Sequence, residues 1–306
     1  MATVQTSAEI SVKNILFLTD FSEPSEAALP FASAIARGYG AKIYALHVFL
    51  PDPYVYTTPA LTASIIEGLE EAAKASMVRV ESSLAGLWHE TIVERGVGIW
   101  SAVEQAIKDH AIDLIVLGTH GRTGAEKFLL GSVAEEIFRR SPVPVLTIGP
   151  GVRSSSHSGG RFHRVLFATD FTADSVAAAP YALSLAHENQ ARLVLLHVMR
   201  NPKPRTGEEE SQFELSVAET IQQLYDTLPQ DVDVNGPPEV AVEYGEPAER
   251  IVEAAKQRHA DLIVLGVRGA EGHIGAATHL ERATAHKVVA HAVCPVLTVR
   301  QRNQKN

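Results

Sequence analysis

The sequence predicts an α/β fold that consists of two tandem copies of a five-stranded parallel-sheet domain. Three observations support this fold class: an internal repeat, an alternation of strand-like and helix-like segments within each repeat, and a composition typical of a globular protein. The chain has 306 residues, of which 45% are hydrophobic and 21% are charged, so it can bury a sizeable core. Its length fits two domains of ordinary size.

The repeat spans nearly the whole chain. The segment Asn14–Phe21 returns 150 residues later as Arg164–Phe171, and Asp113–Gly118 returns unchanged as Asp261–Gly266. A repeat of this length is too long for a solenoid unit, so it indicates a duplicated domain. The segment between the copies is rich in glycine and serine, which is typical of a flexible linker. The predicted division is a first domain at residues 1–149, a linker at 150–162 and a second domain at 163–306.

Each copy alternates short apolar runs with longer amphipathic segments. Apolar runs of this length are typical of strands that are buried on both faces. In the first copy the predicted strands are Ile15–Thr19, Lys42–Val48, Thr91–Arg95, Asp113–Gly118 and Val143–Ile148. The predicted helices are Ala27–Ala36, Thr62–Leu87, Ser101–His110 and Ser132–Arg140. Strands that are separated by helices imply a parallel sheet with right-handed crossovers and helices on both faces.

The first helix carries a proline inside its predicted span. Ser22 and Pro24 form a helix start signal, because a capping serine precedes an early proline. Pro30 lies farther along, where a proline should kink a helix. We therefore expect this helix to be bent or to start late.

Charge and cysteine content limit the function classes. The net charge is −9, and an acidic chain is a poor candidate for sequence-independent nucleic-acid binding. With Cys294 as its one cysteine, the chain cannot form an internal disulfide, which favours a reducing compartment. No signal peptide or membrane span is expected. We therefore expect a cytoplasmic protein without nucleic-acid or membrane partners, with Cys294 buried and inert.

The segment that follows the fourth predicted strand has the features of an anion site. Its glycines let the backbone approach a ligand closely, and Gly131-Ser132 opens the next helix, whose free N–H groups and dipole attract anions. Ligands of such sheets bind outside the carboxyl ends of the strands. The residues therefore favour a pocket for a nucleotide or a phosphate ester. The alternative is that the glycines only form turns and that Ser132 only caps its helix.

The spacing Gly-x2-Gly-x9-Gly-Ser, from Gly118 to Ser132, resembles the ATP-binding signature of the universal stress proteins. It occurs together with Thr19-Asp20 after the first strand and Leu46–Val48 in the second, and the resemblance covers both repeats. It implies an adenine-nucleotide alpha-hydrolase-like (Rossmann-like) domain with strand order 3-2-1-4-5. The implied ligand is ATP, with or without Mg²⁺.

The same resemblance assigns site residues in the first copy. They are Leu18, Thr19, Asp20 and Val48 beside adenine and ribose; Leu117, Gly118, His120, Gly121 and Arg122 along the path from ribose to phosphate; and Gly131, Ser132, Val133 and Ala134 at the phosphates. For Asp20 the alternative role is to cap the adjacent turn. His47 and its equivalent His197 are expected to pack or form hydrogen bonds rather than catalyse. No metal site is expected, although His279, His286 and His291 lie near one another in the sequence.

The second copy departs from this signature. When the copies are aligned on their shared Pro-Val-Leu-Thr strand, Arg282-Ala283 replaces Gly131-Ser132. A bulky side chain would then lie where backbone should contact phosphate. We therefore expect a poor ATP site in the second copy, with Asp170 mainly structural, and one ATP per chain.

Three functions remain open at this point. The first is a nucleotide-responsive regulator in stress. The second is a slow ATPase or a self-phosphorylating protein with Ser132 as acceptor, and the third is an interaction module that does not need nucleotide. The sequence has no Gly-x4-Gly-Lys-Ser/Thr loop, no His-Glu-x2-His and no Gly-x-Ser-x-Gly, so it supports holding ATP better than turning it over. The resemblance also implies that the two copies pair through Val143–Ile148 and Pro295–Val299, and it leaves open whether two chains form a homodimer.

Overall fold

The structure is a computed structural model, and it describes residues 10–51, 59–119, 131–152, 161–200, 207–229, 234–267 and 284–301. The chain divides into two compact units, one built from residues 11–150 and the other from residue 151 onward. They are called the N-terminal and C-terminal units below.

The two units contain the same succession of elements. The N-terminal unit consists of β1 (Asn14–Leu18), α1 (Glu23–Glu26), α2 (Leu29–Tyr39), β2 (Lys42–Phe49), α3 (Pro59–Ser83), β3 (His89–Arg95), α4 (Ile99–Asp109), β4 (Leu114–Gly118), α5 (Ser132–Arg140) and β5 (Val145–Ile148). The C-terminal unit consists of β6 (Arg164–Ala168), α6 (Ala173–Val176), α7 (Ala179–Asn189), β7 (Arg192–Met199), α8 (Gly207–Asp226), β8 (Glu239–Tyr244), α9 (Pro247–Gln257), β9 (Leu262–Val267), α10 (Thr284–His291) and β10 (Val296–Arg300).

Every strand pair within each unit is parallel. In the N-terminal unit β1 lies between β2 and β4, while β3 and β5 flank them, so the order is β3-β2-β1-β4-β5. The C-terminal unit repeats this arrangement as β8-β7-β6-β9-β10. The predicted order 3-2-1-4-5 is therefore confirmed in both copies. The first strand of each copy lies in the middle of its sheet, and Phe17 and Phe167 are 0% exposed.

The proline in the first helix has the predicted effect. The helical segment is split into α1 and α2, and Pro30 is the second residue of α2. At that position the missing N–H of proline interrupts no helical hydrogen bond. Ser22 caps α1 as expected, because its Oγ accepts a hydrogen bond from the Ser25 N–H at 3.4 Å.

Several predicted boundaries were wrong by a few residues. The third helix runs from Pro59 to Ser83 rather than from Thr62 to Leu87. The last strand of the N-terminal unit begins at Val145 rather than Val143. The cause is local, because the Ser141 hydroxyl both donates to the Val143 carbonyl and accepts from the Val143 N–H.

Two expectations about the chain as a whole can be compared with the structure. Cys294 is buried, with 2% of its surface exposed, so the prediction of a buried cysteine is confirmed, and burial raises the pKa of its thiol to about 12. Within the residues that the structure describes, no helix has both the length and the apolar composition to cross a membrane.

Candidate functional site

The predicted site residues of the N-terminal unit lie at one edge of its sheet. Leu18 ends β1, Val48 lies near the end of β2, and Leu117 and Gly118 end β4. Since β1 is hydrogen-bonded to both β2 and β4, these ends are neighbours. The structure therefore brings together the described residues that the resemblance assigned to adenine and ribose.

The turn after β1 is held by buried hydroxyl groups. The Thr19 Oγ1 accepts a hydrogen bond from the Phe21 N–H at 3.0 Å and lies 3.1 Å from the Ser25 Oγ. The Ser25 hydroxyl donates to the Ser22 carbonyl, so Thr19 must donate in the contact with Ser25. This network keeps Phe21 at a φ of 62°, a left-handed conformation that non-glycine residues rarely adopt.

Asp20 caps this turn. Its Oδ1 accepts hydrogen bonds from the Ser22 N–H at 3.1 Å and from the Ser22 hydroxyl at 2.5 Å. The turn-capping role, which was the alternative in the sequence analysis, is therefore present in the structure. The capping bonds also fix the carboxylate at the edge of the sheet, where a ligand hydroxyl could reach it.

A histidine supports the same turn from β2. The Nδ1 of His47 lies 2.8 Å from the Thr19 carbonyl oxygen, and its ring lies 4.3 Å from the ring of Phe21, between centroids. In the C-terminal unit His197 makes the same two contacts with Thr169 and Phe171, at 2.9 Å and 4.6 Å. The prediction that these histidines form hydrogen bonds is confirmed.

Gly118 permits a close approach between β4 and α1. A Cβ at this position would lie 2.8 Å from the carbonyl carbon of Pro24 and closer still to its oxygen. Any side chain at residue 118 would therefore push α1 away from the sheet. The glycine at residue 118 therefore allows the backbone of α1 to pack against β4 next to the site.

The N-terminus of α5 has the geometry expected of an anion site. Gly131 precedes the helix in an extended conformation, and its N–H donates to the Thr119 carbonyl at 2.7 Å. No described side chain caps this helix, and Ser132 and Val133 are exposed. The first N–H groups of a helix lack intrahelical partners, and no side chain in the described part of the chain caps those of α5. Ala134 is 3% exposed, so this residue is buried at the start of α5.

Some predicted residues lie outside the described part of the chain. They are His120, Gly121 and Arg122 in the N-terminal copy, and Arg282, Ala283 and His279 in the C-terminal copy. Among the described residues, no group of three or more His, Cys, Asp or Glu side chains could hold a metal ion.

The sequence analysis missed three residues that shape the site. Ser25 completes the hydroxyl network, and Pro24 contacts Gly118 through its backbone. Gly96 packs closely against Val48, since a Cβ at residue 96 would lie 2.8 Å from the Val48 Cγ1. Ser25 could have been found from the repeat, because Ser175 occupies the same place in the second copy. Pro24 and Gly96 act through close packing, which leaves no pattern in one sequence.

The C-terminal unit has the same turn and an open cavity above it. The Thr169 Oγ1 lies 2.9 Å from the Ser175 Oγ, and the Asp170 Oδ1 accepts from the Thr172 N–H and hydroxyl. The cavity has a volume of about 430 Å³ and is lined by the ends of β6, β7 and β9 and the start of α10. The second copy therefore retains a pocket at the edge where the first copy has its predicted site.

The comparisons with known proteins agree with this geometry. The model of the universal stress protein family matches residues 11–149 and again residues 161–300. A universal stress protein of Mycolicibacterium smegmatis is 27% identical over 301 residues, which cover 94% of this chain and 97% of that protein. A universal stress protein of Methanocaldococcus jannaschii is 37% identical over 141 residues, covering 44% of this chain and 81% of the relative.

A solved structure shares the fold over both copies. The crystal structure of a universal stress protein from Archaeoglobus fulgidus superposes with a TM-score of 0.69 at 22% identity, covering 96% of this chain and 100% of the other. The two matches of the family model, over residues 11–149 and 161–300, show that the chain belongs to the universal stress protein family, as a tandem member with two domains.

Proposed function

We propose that the N-terminal unit binds ATP and that the chain acts as a nucleotide-responsive regulator in stress. One observation carries the proposal: the start of α5, which is exposed and has no cap among the described side chains, lies in the same unit as the ordered turn of Asp20, after neighbouring strands. A helix start of this kind binds phosphate groups, and a fixed carboxylate accepts hydrogen bonds from ribose hydroxyls.

The proposed binding mode assigns each part of ATP to described residues. Leu18 and Val48 offer apolar contacts to adenine, and Asp20 accepts hydrogen bonds from ribose. The N–H groups of Ser132 and Val133, with the Ser132 hydroxyl, bind phosphates. The proposed site also includes Thr19, Leu117, Gly118, His120, Gly121, Arg122, Gly131 and Ala134. ATP binds there with or without Mg²⁺.

We propose binding rather than rapid hydrolysis. The sequence has no Gly-x4-Gly-Lys-Ser/Thr loop, no His-Glu-x2-His and no Gly-x-Ser-x-Gly, and it has no acidic pair beside the glycine loop that is suited to two Mg²⁺ ions. If bound ATP is not hydrolysed, the fraction of the chain that carries ATP follows the concentration of ATP around it. The proposed location is the cytoplasm, in keeping with the acidic composition and the single cysteine.

The proposed domain organisation has boundaries at residues 1–149 and 163–306. We propose that the two copies pair through Val143–Ile148 and Pro295–Val299. Cysteine pairs introduced along these two segments, in a Cys294→Ser background, should form an intrachain disulfide in at least one register. Disulfides that form only between chains would contradict the pairing, and light scattering would then give the oligomeric state.

The test of the function is a calorimetric titration of the full chain with ATP, ADP, AMP and GTP, after mass spectrometry has established which nucleotide is present in the purified protein. We expect one ATP per chain. Gly131→Arg should abolish binding, because the bulky side chain would crowd the phosphates and push them away from the Ser132 hydroxyl and the helix N–H groups. The loss of two such charge-assisted hydrogen bonds costs about 3–6 kcal/mol, enough to convert a micromolar site into a millimolar one.

The matched control is Arg282→Gly, which should leave the N-terminal site unchanged. A stoichiometry near two, or ATP binding that survives Gly131→Arg, would contradict the assignment to the N-terminal unit. The absence of adenine-nucleotide binding below millimolar concentration in nucleotide-free protein would contradict the function itself.

A further inference from the structure

We propose that Asn235 is a site of spontaneous covalent modification, at which the side-chain amide is converted to a carboxylate through attack by the backbone nitrogen of Gly236. The turn before β8 carries this proposal, because it places an exposed amide next to an open glycine. The proposed modification does not depend on the ATP site that we propose for the N-terminal unit.

The residue after Asn235 offers an accessible backbone nitrogen. Gly236 is exposed and has a φ of 85°, a conformation that glycine adopts without steric cost. A Cβ built on it would have no atom within 4 Å, so nothing packs beside it. Within the part of the chain that the structure describes, neither the Asn235 side chain nor the Gly236 N–H has a hydrogen-bond partner.

The matching turn of the other copy shows what is particular to this one. Gly86 stands at the equivalent place, with the same φ of 85° and the same empty surroundings. Ala85 precedes it, so that turn has no amide to react. The Leu87 N–H there donates to a carbonyl at 3.0 Å, whereas Pro237 follows Gly236 and has no N–H with which to fasten the turn.

The reaction needs water and no other reagent. The Gly236 nitrogen gives up its proton and bonds to the Asn235 Cγ, the bond between Cγ and Nδ2 breaks, and Nδ2 leaves with the proton as ammonia. Water then opens the resulting five-membered imide. Cleavage at Cγ gives aspartate, and cleavage at the main-chain carbonyl gives isoaspartate, in which the chain continues through the former side chain. Both products add one negative charge.

The two other asparagines that the structure describes are held in place. The Nδ2 of Asn14 donates to a carbonyl at 3.2 Å, and the next residue, Ile15, is branched and 0% exposed. The Nδ2 of Asn189 donates to the Leu185 carbonyl at 2.9 Å, and the following N–H, that of Gln190, is hydrogen-bonded at 3.0 Å. A fixed amide and an engaged or shielded nitrogen both oppose ring closure, so the structure selects residue 235.

The products change the chain shortly before β8, which begins at Glu239. Isoaspartate adds one carbon atom to the main chain at that point, and its carboxylate is one that no encoded residue provides. It is therefore a substrate for a carboxyl methyltransferase that recognises isoaspartyl residues. Since the peptide bonds of the product do not revert to asparagine, the modified fraction records the time since synthesis.

The experiment follows the full chain as it ages in ¹⁸O-labelled water at neutral pH, with digestion in ordinary water and mass spectrometry. Sampling continues until a guanidinium-unfolded control has converted at residue 235. We expect the folded chain to lose the amide there and to carry ¹⁸O in the new carboxylate, while Asn14 and Asn189 keep their amides. A purified isoaspartyl methyltransferase should label the aged chain and leave fresh protein unlabelled.

Paired variants test the turn itself. Gly236→Ala should suppress the conversion, because a Cβ shields the attacking nitrogen and disfavours this φ. Its matched control, Gly86→Ala, places the same side chain at the same φ and should leave conversion at residue 235 unchanged. Ala85→Asn should introduce a second reactive position, since residue 85 is exposed and precedes a glycine of identical φ.

Several results would overturn the inference. Asn235 that keeps its amide in the folded chain while the unfolded chain converts would show that the native turn protects it. Equal conversion of Asn14 or Asn189 would show that the structure does not select the site. An unreactive Ala85→Asn protein, or wild-type conversion in Gly236→Ala, would contradict the role given to the glycine turn.

Discussion

Replacing Gly118 by alanine should loosen the contact between α1 and β4 and weaken the N-terminal unit alone. The added Cβ would lie 2.8 Å from the carbonyl carbon of Pro24, against an ordinary contact of 3.4 Å or more. The backbone of α1 would have to retreat by about 0.6 Å, and by more at the Pro24 oxygen. Backbone cannot rotate out of the way as a flexible side chain can.

The expected loss of stability follows from this overpacking. Inserted methyl groups in a packed interior cost about 1–3 kcal/mol, which lowers the melting temperature of a domain of this size by about 3–10 °C. The change also moves the turn of Asp20, so affinity for ATP should fall in the same variant.

The sequence provides a selective assay. The chain has two tryptophans, Trp88 and Trp100, and both lie in the N-terminal unit, with Trp100 7% exposed. Thermal unfolding followed by tryptophan fluorescence therefore reports that unit, while far-UV circular dichroism reports both. Gly118→Ala should lower the fluorescence transition, and the matched variant Gly266→Ala should lower only a transition seen by circular dichroism.

A second control separates crowding from glycine replacement in general. Gly38 lies in α2 with nothing within 4 Å of its added Cβ, so Gly38→Ala should stabilise the unit by about 1 kcal/mol. A Gly118→Ala protein that melts at the wild-type temperature by fluorescence, or a Gly38→Ala protein that is equally destabilised, would refute the packing argument.

Three more substitutions or reactions test other contacts. Asp113→Ala removes an acceptor that binds the Lys13 and Asn14 N–H groups at 2.8 Å and 3.0 Å, and should cost about 1–3 kcal/mol in urea unfolding followed by tryptophan fluorescence. Gly40→Ala places a side chain at a φ of 64° and should cost about 1 kcal/mol in the same measurement. Burial raises the pKa of the Cys294 thiol to about 12, so at pH 8 about one part in ten thousand of it should be thiolate. A disulfide reagent should therefore react with Cys294 only after urea unfolds the chain, and fast labelling of the native protein would contradict this.

The fold was predictable because its signal is repeated along the chain. The apolar runs that form β1 and β6 are each followed by Thr-Asp-Phe. A pattern that appears twice at matching positions rarely arises by chance, so the repeat supports the assignment of both strands. Helix ends were less predictable, since they depend on tertiary contacts. The late start of α2 could be anticipated because proline acts through its own covalent geometry, whereas the start of β5 depended on the two hydrogen bonds of Ser141.

The site was predictable at the level of residues that carry chemical groups and less so for those that act through packing. Thr19 and Asp20 stand out as polar residues directly after a buried strand, and the structure places them in an ordered turn. Pro24 contributes a backbone contact that any residue type could make.

The turn after the first strand has a consequence for how such a protein can diverge. The Thr169–Ser175 contact is present in the copy in which Arg282-Ala283 stands where the other copy has Gly131-Ser132, so the turn supports the fold with either pair. A duplicated domain can therefore keep the same turn after its first strand while other residues differ between the copies. A protein of this kind can acquire a second input without first having to evolve a second fold.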